Sequence, residues 1–273
     1  MFKKFIYKSK FLFFLLQKYW SIKYLIQIFL IDAEKYFTIT KSQSNNEENM
    51  FITMLSNNAV NKNFIEIGYH YRELNSVGLI KNDFSGKVID ADIGVKMNSF
   101  IMKKIIQKLK KKVEVINRFI DLDNLDDIFD MNKLGCLSID IDGNDFWILK
   151  KIISKKIFPE IIIVEYNASF LDLEISVPYD KNFNIREKHP SLCYHGASLS
   201  AFNKLLIKYE YALVKVINGT NAIFIDKNLL QKSKLKKFLP SEIYEECPSR
   251  NRMCKNTAQE QFQEIKYLPL ENV

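Results

Sequence analysis

Five short apolar runs alternate with longer helix-like stretches between residues 63 and 167, and this alternation limits what the chain can fold into more than any other feature. The runs are NFIEIG (63–68), GKVIDAD (86–92), KVEVINRFI (112–120), GCLSIDID (135–142) and EIIIVEYN (160–167). Each has strand length and strand composition, and the segments between them are long enough for crossover helices. Repeated strand–helix–strand units build a parallel sheet covered by helices on both faces. YEYALVKVINGTNAIFID (209–226) adds two further runs around Asn218-Gly219-Thr220, a hairpin signal and hence an antiparallel edge. The expected fold is α/β: a doubly wound, mostly parallel Rossmann-like sheet with an antiparallel C-terminal hairpin, preceded by N-terminal amphipathic helices.

The flanks divide the 273 residues into three parts: helices and the polar linker TKSQSNNEEN over 1–49, the sheet domain over 50–230, and a basic then polar tail over 231–273. With 47% apolar residues the chain has ample material for a core. The start is basic and rich in Phe, Ile and Leu, but Lys10, Lys18 and Lys23 keep every apolar run far below the roughly 18–20 residues of a spanning helix. No small-residue cleavage site follows 11–16, so a signal peptide is not expected either. Amphipathic helices over 1–37 would pack on the domain or on a second subunit, giving a homo-oligomer. Alternatively they would lie on an anionic membrane with Trp20 and the lysines at the headgroups, making the protein membrane-peripheral. A net charge of +8 comes without an Arg-rich or aromatic-interleaved motif, so nucleic acid is not expected as a partner. Four scattered cysteines, none in a CxxC pair, imply a reduced, cytoplasmic setting.

Acidic residues and glycine collect at the carboxyl ends of the strand-like runs, where open α/β sheets bind ligands. Glu66 and Gly68 end the first run and Asp90 and Asp92 the second, a spacing at which a carboxylate accepts hydrogen bonds from ribose hydroxyls. Tyr69, His70 and Tyr71 follow Gly68 where a diphosphate-binding turn would need more glycine. A nucleoside cofactor without a diphosphate is therefore implied, and S-adenosylmethionine fits.

In the fourth run, alternation puts Ser138, Asp140 and Asp142 on one face. Gly143 allows an exit turn, and Asn144 or Asp145 is suited to cap the next helix. One cap suffices, which leaves Asp140 and Asp142 for a ligand or for catalysis. Glu165 and Asn167 end the next run on a shared face, where they would bind the acceptor or complete an oxygen-only cation site. Acidic oxygen clusters more often hold hydroxyls or water, so no metal is assigned. His195 in YHGASLSAF and His70 have the unperturbed pKa that suits proton abstraction near neutrality. Tyr194 is suited to stack on a sugar ring, and Ser198 to cap a helix.

SIDIDGNDFWILKKI followed by PEIIIVEYN resembles the paired motifs of FkbM-type methyltransferases, within the class I methyltransferase-like group. VEYNASF, VPYD, YHGASLSAFNKLL, YALV and NGTNAIFI extend the likeness over about residues 60–228. The resemblance implies S-adenosylmethionine as cofactor and O-methylation of a hydroxyl on a glycan or related small metabolite. It implies a ribose-binding acid at Asp92 first and Asp90 second, with Glu66 and Gly68 beside it. Asp140, Asp142 or His195 would take the acceptor's proton, and Glu165, Asn167 and Tyr194 would hold the acceptor. The competing expectation is a relative of the same fold that binds or scaffolds without catalysis.

Overall fold

The computed structural model describes residues 46–92, 97–129 and 133–273, with scattered helical positions between 15 and 26. Apart from those positions, the N-terminal helices and the membrane contact expected of 1–37 lie outside the described residues. No helix among the described residues is long and apolar enough to cross a membrane.

Helix α1 (Asn46–Asn58) begins inside the stretch expected as linker. The reason is Glu48, which is buried and accepts from Asn221 Nδ2 at 2.8 Å, anchoring the helix to the far side of the sheet. The doubly wound part follows: β1 (Asn63–Ile67), α2 (Val77–Lys81), β2 (Ser85–Asp90), α3 (Asn98–Leu109), β3 (Val113–Asn117), β4 (Cys136–Ile139), α4 (Asp145–Ser154) and β5 (Ile161–Glu165). Then come β6 (Ile175–Ser176), α5 (Ile185–Lys188), α6 (Leu199–Ile207), and the hairpin β7 (Ala212–Ile217) and β8 (Asn221–Ile225).

Seven strands form one sheet in the order β3-β2-β1-β4-β5-β8-β7, with β8 antiparallel to both neighbours and the others parallel. This is the class I, Rossmann-like arrangement. Strand order reverses between β1 and β4, so the crevice at their carboxyl ends is the topological switch point. Ile67 lies opposite both Ile89 and Ile139, so the three strands that flank the crevice end level with one another. Period-2 alternation sends Phe64 to the layer holding Leu79, Ile101 and Ile105, and Ile65 to the layer holding Leu149, Ile152 and Phe202. Each such buried apolar side chain stabilises the fold by about 1.5–3 kcal/mol.

Residues 231–273 are more than a tail. After α7 (Lys227–Ser233) they carry α8 (Pro240–Ile243), α9 (Pro248–Cys254), α10 (Ala258–Ile265) and β9 (Glu271–Asn272), which pairs with β6. Polar contacts fasten them to the sheet domain: Tyr244 Oη donates to Ala168 O at 2.8 Å and Tyr166 Oη to Glu245 O at 2.7 Å. Ser169 Oγ donates to Gln261 Oε1 at 2.6 Å. Gly219, at φ +62° in the hairpin turn, lets this segment pass, since a Cβ there would stand 2.2 Å from Glu246 O.

Candidate functional site

A cavity of about 800 Å³ opens at the carboxyl ends of β1, β2 and β4. Gly68 forms its floor. Its N–H continues the ladder to Ile89 O at 2.8 Å, its φ is +80°, and a Cβ would lie 1.6 Å from Asp140 O. Glycine is thus required where the exits of β1 and β4 touch. Glu66 lines the same cavity, but its carboxylate is engaged, accepting from Asn75 N–H at 2.9 Å, from Ser76 N–H at 3.0 Å and from the Ser76 hydroxyl. Burial raises its pKa to about 7 against these hydrogen bonds. Glu66 therefore holds the loop after β1 in place.

That loop is also clamped by Asn98, whose Oδ1 accepts from Tyr71 N–H at 2.9 Å and whose Nδ2 donates to Tyr69 O at 2.8 Å. Tyr71 turns into the core, whereas Tyr69 and His70 face the cavity. Burial, then the charge of Arg72, lowers the pKa of His70 to about 4, so it is neutral at neutral pH.

Of the two acids expected at the end of β2, only Asp90 reaches the cavity. Asp90 lines the cavity, and burial raises its pKa. Asp92 lies outside that lining. At φ +54° its carboxylate turns back to α3, accepting from Ser99 N–H and Ser99 Oγ, each at 2.8 Å. Asp92 turns away from the cavity because the chain leaves β2 through a left-handed turn that sequence spacing does not reveal.

After β4 the acids also divide. Asp145 accepts from Ile141 N–H and Gly143 N–H, both at 2.8 Å, so it closes the strand-to-helix loop; burial raises its pKa to about 6. Asn144 ties this loop to the next, donating from Nδ2 to Asp180 O at 2.8 Å. Asp140 is half-buried and Asp142 is exposed at the mouth with φ +58°. Both line the cavity. Their carboxylate oxygens and one of Glu165, at the end of β5, all lie within 4.8 Å of one another. Burial, then the neighbouring carboxylates, holds Asp140 and Glu165 well above their ordinary range.

The remaining candidates stand behind this cluster, outside the cavity lining. Asn167 is engaged on both sides of its amide: Nδ2 donates to Cys193 O at 2.7 Å and His195 O at 2.8 Å, and Oδ1 accepts from Ser169 N–H at 2.9 Å. Both its N–H groups are thus taken up in shaping the backbone. Tyr194 Oη donates to Pro269 O. His195 is 3% exposed, and its Nε2 accepts from Arg250 Nη2 at 3.1 Å. Burial and the Arg250 charge push its pKa well down. With its lone pair occupied, His195 is a positioning residue for Arg250 and not a free base. Ser198 does cap α6, accepting from Ala201 N–H at 3.0 Å.

Three contributors went unread in the sequence. Arg118, Phe119 and Ile120 form the wall beyond β3. Phe183 packs on Gly143, where a Cβ would approach its ring to 2.2 Å, and with Arg186 it roofs the cavity. Arg250 reaches the acidic cluster's surroundings from α9. The first two groups follow apolar or turn residues directly after a strand or loop motif, a usable signal; Arg250 offers none.

No family model matches the chain, and no curated protein does. Among solved structures, it is similar to the O-methyltransferase from Bacillus cereus in complex with SAH, at 15% identity over 74% of this chain and 90% of that one, with a TM-score of 0.45. It is likewise similar to the O-methyltransferase TomG from Streptomyces achromogenes in complex with SAM, at 12% identity over 68% and 81% of the two chains, with a TM-score of 0.42.

Proposed function

We propose that the chain is an S-adenosylmethionine-dependent methyltransferase of FkbM-type character that methylates a hydroxyl of a glycan or related metabolite. The carrying observation is the cavity at the switch point. It has a carboxylate at the end of β2, no glycine-rich diphosphate turn after β1, and an oxygen cluster on its β4 side. These residues fit the cofactor: Asp90 is sited to accept from ribose hydroxyls, and Phe119 and Ile120 offer an apolar wall to adenine. When bound, S-adenosylmethionine supplies a methyl group already activated on sulfonium. The protein's task is then to orient the acceptor oxygen and to remove its proton. Asp142, at the mouth, accepts a hydrogen bond from an acceptor hydroxyl. Asp140, whose pKa burial and the neighbouring carboxylates raise, takes the proton. Acceptors without hydroxyls are rejected, because they would displace water from the carboxylates of Asp140 and Asp142 without replacing its hydrogen bonds.

Calorimetry with S-adenosylmethionine tests the cofactor. Asp90→Ala should weaken binding by about 1–3 kcal/mol. Asp92→Ala should leave affinity nearly unchanged and instead lower stability by about 0.5–2 kcal/mol through loss of the α3 cap. No heat of binding to folded wild-type protein at millimolar cofactor would leave the non-catalytic relative as the better reading. Transfer of labelled methyl to a panel of sugars, lipids and phenols then identifies the acceptor.

We also propose that residues 1–37 either pack on the domain or a second subunit or make peripheral membrane contact, and vesicle flotation separates the two. Their deletion should abolish co-flotation with anionic vesicles and leave cofactor affinity intact. Aggregation of the truncated protein would instead make those residues part of its packing.

A further inference from the structure

We propose that Cys193 and Cys254 are an oxidative modification site: a disulfide oxidant joins them, and the bond fastens the C-terminal segment to the sheet domain. Their sulfurs lie 3.4 Å apart in the folded chain although 61 positions separate them in sequence. A closure of about 1.4 Å brings them to the roughly 2.05 Å of a disulfide bond. One end has room to move. Cys254 is the last residue of α9 and partly exposed, and Lys255 after it turns off at φ +61°. Cys193 is fully buried and is the fixed partner.

The surroundings favour this pair. Both thiols donate to one carbonyl, Cys193 Sγ to Ser191 O at 3.5 Å and Cys254 Sγ at 3.4 Å, so oxidation gives up only weak bonds. Phe170, Ile175, Val177 and Ile265 pack around Cys193, an apolar setting in which an uncharged disulfide is readily buried. The other cysteines do not compete. Cys136 is buried in the core layer that holds Leu79 and Ile101. Cys247 stands at the start of α9, about 10 Å along the helix from Cys254, beyond the roughly 7 Å that a disulfide spans between Cα atoms.

The bond acts where α9 already docks. Arg250, one turn before Cys254, donates from Nη1 to Leu192 O at 2.8 Å and from Nη2 to His195 Nε2 at 3.1 Å. A covalent link beside these contacts keeps them together when the segment would otherwise lift. Closing so long a loop also removes conformational freedom from the unfolded chain.

With glutathione disulfide as oxidant, the Cys254 thiolate attacks one glutathione sulfur and expels the other as a thiolate. The Cys193 thiolate then attacks Cys254 Sγ and expels the second glutathione. Two protein thiols are oxidised, one glutathione disulfide is reduced to two thiols, and the two protons pass through solvent to the expelled thiolates. Burial, then the Cys193 sulfur beside it, raises the Cys254 pKa to about 12, so thiolate is scarce and the bond forms slowly. The same property makes Cys254 a poor leaving group, so the bond is also slow to be reduced.

The full-length protein is incubated overnight in mildly alkaline buffer with millimolar glutathione disulfide. It is then denatured, alkylated, digested and mapped by mass spectrometry without reduction. The expected product joins the Cys193 and Cys254 peptides, two hydrogen masses below their sum. Its thermal midpoint should rise by about 5 °C or more and return on treatment with dithiothreitol. Cys254→Ser should abolish both the link and the rise, and Cys247→Ser should keep both. Cys193→Ala should match Cys254→Ser; if this buried variant fails to fold, Cys254→Ser at the helix end carries the test alone. Free Cys193 and Cys254 after incubation, pairing of either with another cysteine, or a link that leaves the midpoint unchanged overturns the proposal.

Discussion

Gly68→Ala is expected to leave the chain unfolded, or folded with a urea midpoint far below wild type. Two costs add at this position. A left-handed backbone at φ +80° disfavours any Cβ by about 1–2 kcal/mol. The new methyl would also stand 1.6 Å from Asp140 O and 2.5 Å from Asp140 C. The obstacle is backbone, and Asp140 N–H is itself held by Ile67 O at 2.9 Å, so neither strand exit can yield without breaking the β1–β4 ladder. The combined cost exceeds about 4 kcal/mol, which is diagnostic among single substitutions and a large share of a typical domain's 5–15 kcal/mol. Soluble yield and urea unfolding followed by circular dichroism measure it. A midpoint within experimental error of wild type would show that β1 and β4 do not meet this closely.

The second large effect is on pH. The Glu66 pKa is raised in the fold to about 7 from an ordinary 4.5, so the folded state binds a proton that the unfolded chain has released over that interval. Stability from this group is fully present below pH 4.5, falls as pH rises from there to 7, and is gone above it. The loss is about 3 kcal/mol. Asp145, raised to about 6, acts in the same sense at lower pH. The chain should therefore unfold at progressively lower urea from pH 5 to pH 8. Glu66→Gln begins less stable, since an amide cannot accept from both Asn75 and Ser76, but its stability should fall less steeply across this range. An undiminished wild-type slope in Glu66→Gln would assign the pH dependence to other groups.

The sheet was legible because its evidence is local. Every expected strand lies within three residues of an observed boundary, for the alternation that marks a strand is the same alternation that fills the two core layers. The place of the crevice was legible for the same reason, since strand order fixes it. What sequence spacing could not resolve is which carboxylates remain available. Asp90 and Asp92 differ by one left-handed residue, and that turn hands Asp92 to Ser99. Asn167 and His195 matched their motifs, but their partners lie 26 to 55 residues away, at Cys193 and Arg250. Asp140 and Asp142 do line the cavity, at the end of the strand that alternation marked. Residues 231–273 read as a tail since short helices with few apolar residues carry little periodic signal, and their anchorage comes from single contacts such as Tyr166 to Glu245.

The packing of Arg250 against His195 also bears on the order of events during synthesis. The strands of the seven-stranded sheet are all free to pair once Ile225 has emerged from the ribosome, and the cavity between β1 and β4 can form at that stage. Arg250, and Pro269, which receives the Tyr194 hydroxyl, are translated later. A nascent chain therefore passes through an interval in which the cavity exists while His195 lacks its guanidinium partner. Ribosome-bound intermediates in which Ile225 has emerged while Arg250 is still inside the exit tunnel would show native-like sheet protection with an unpaired His195.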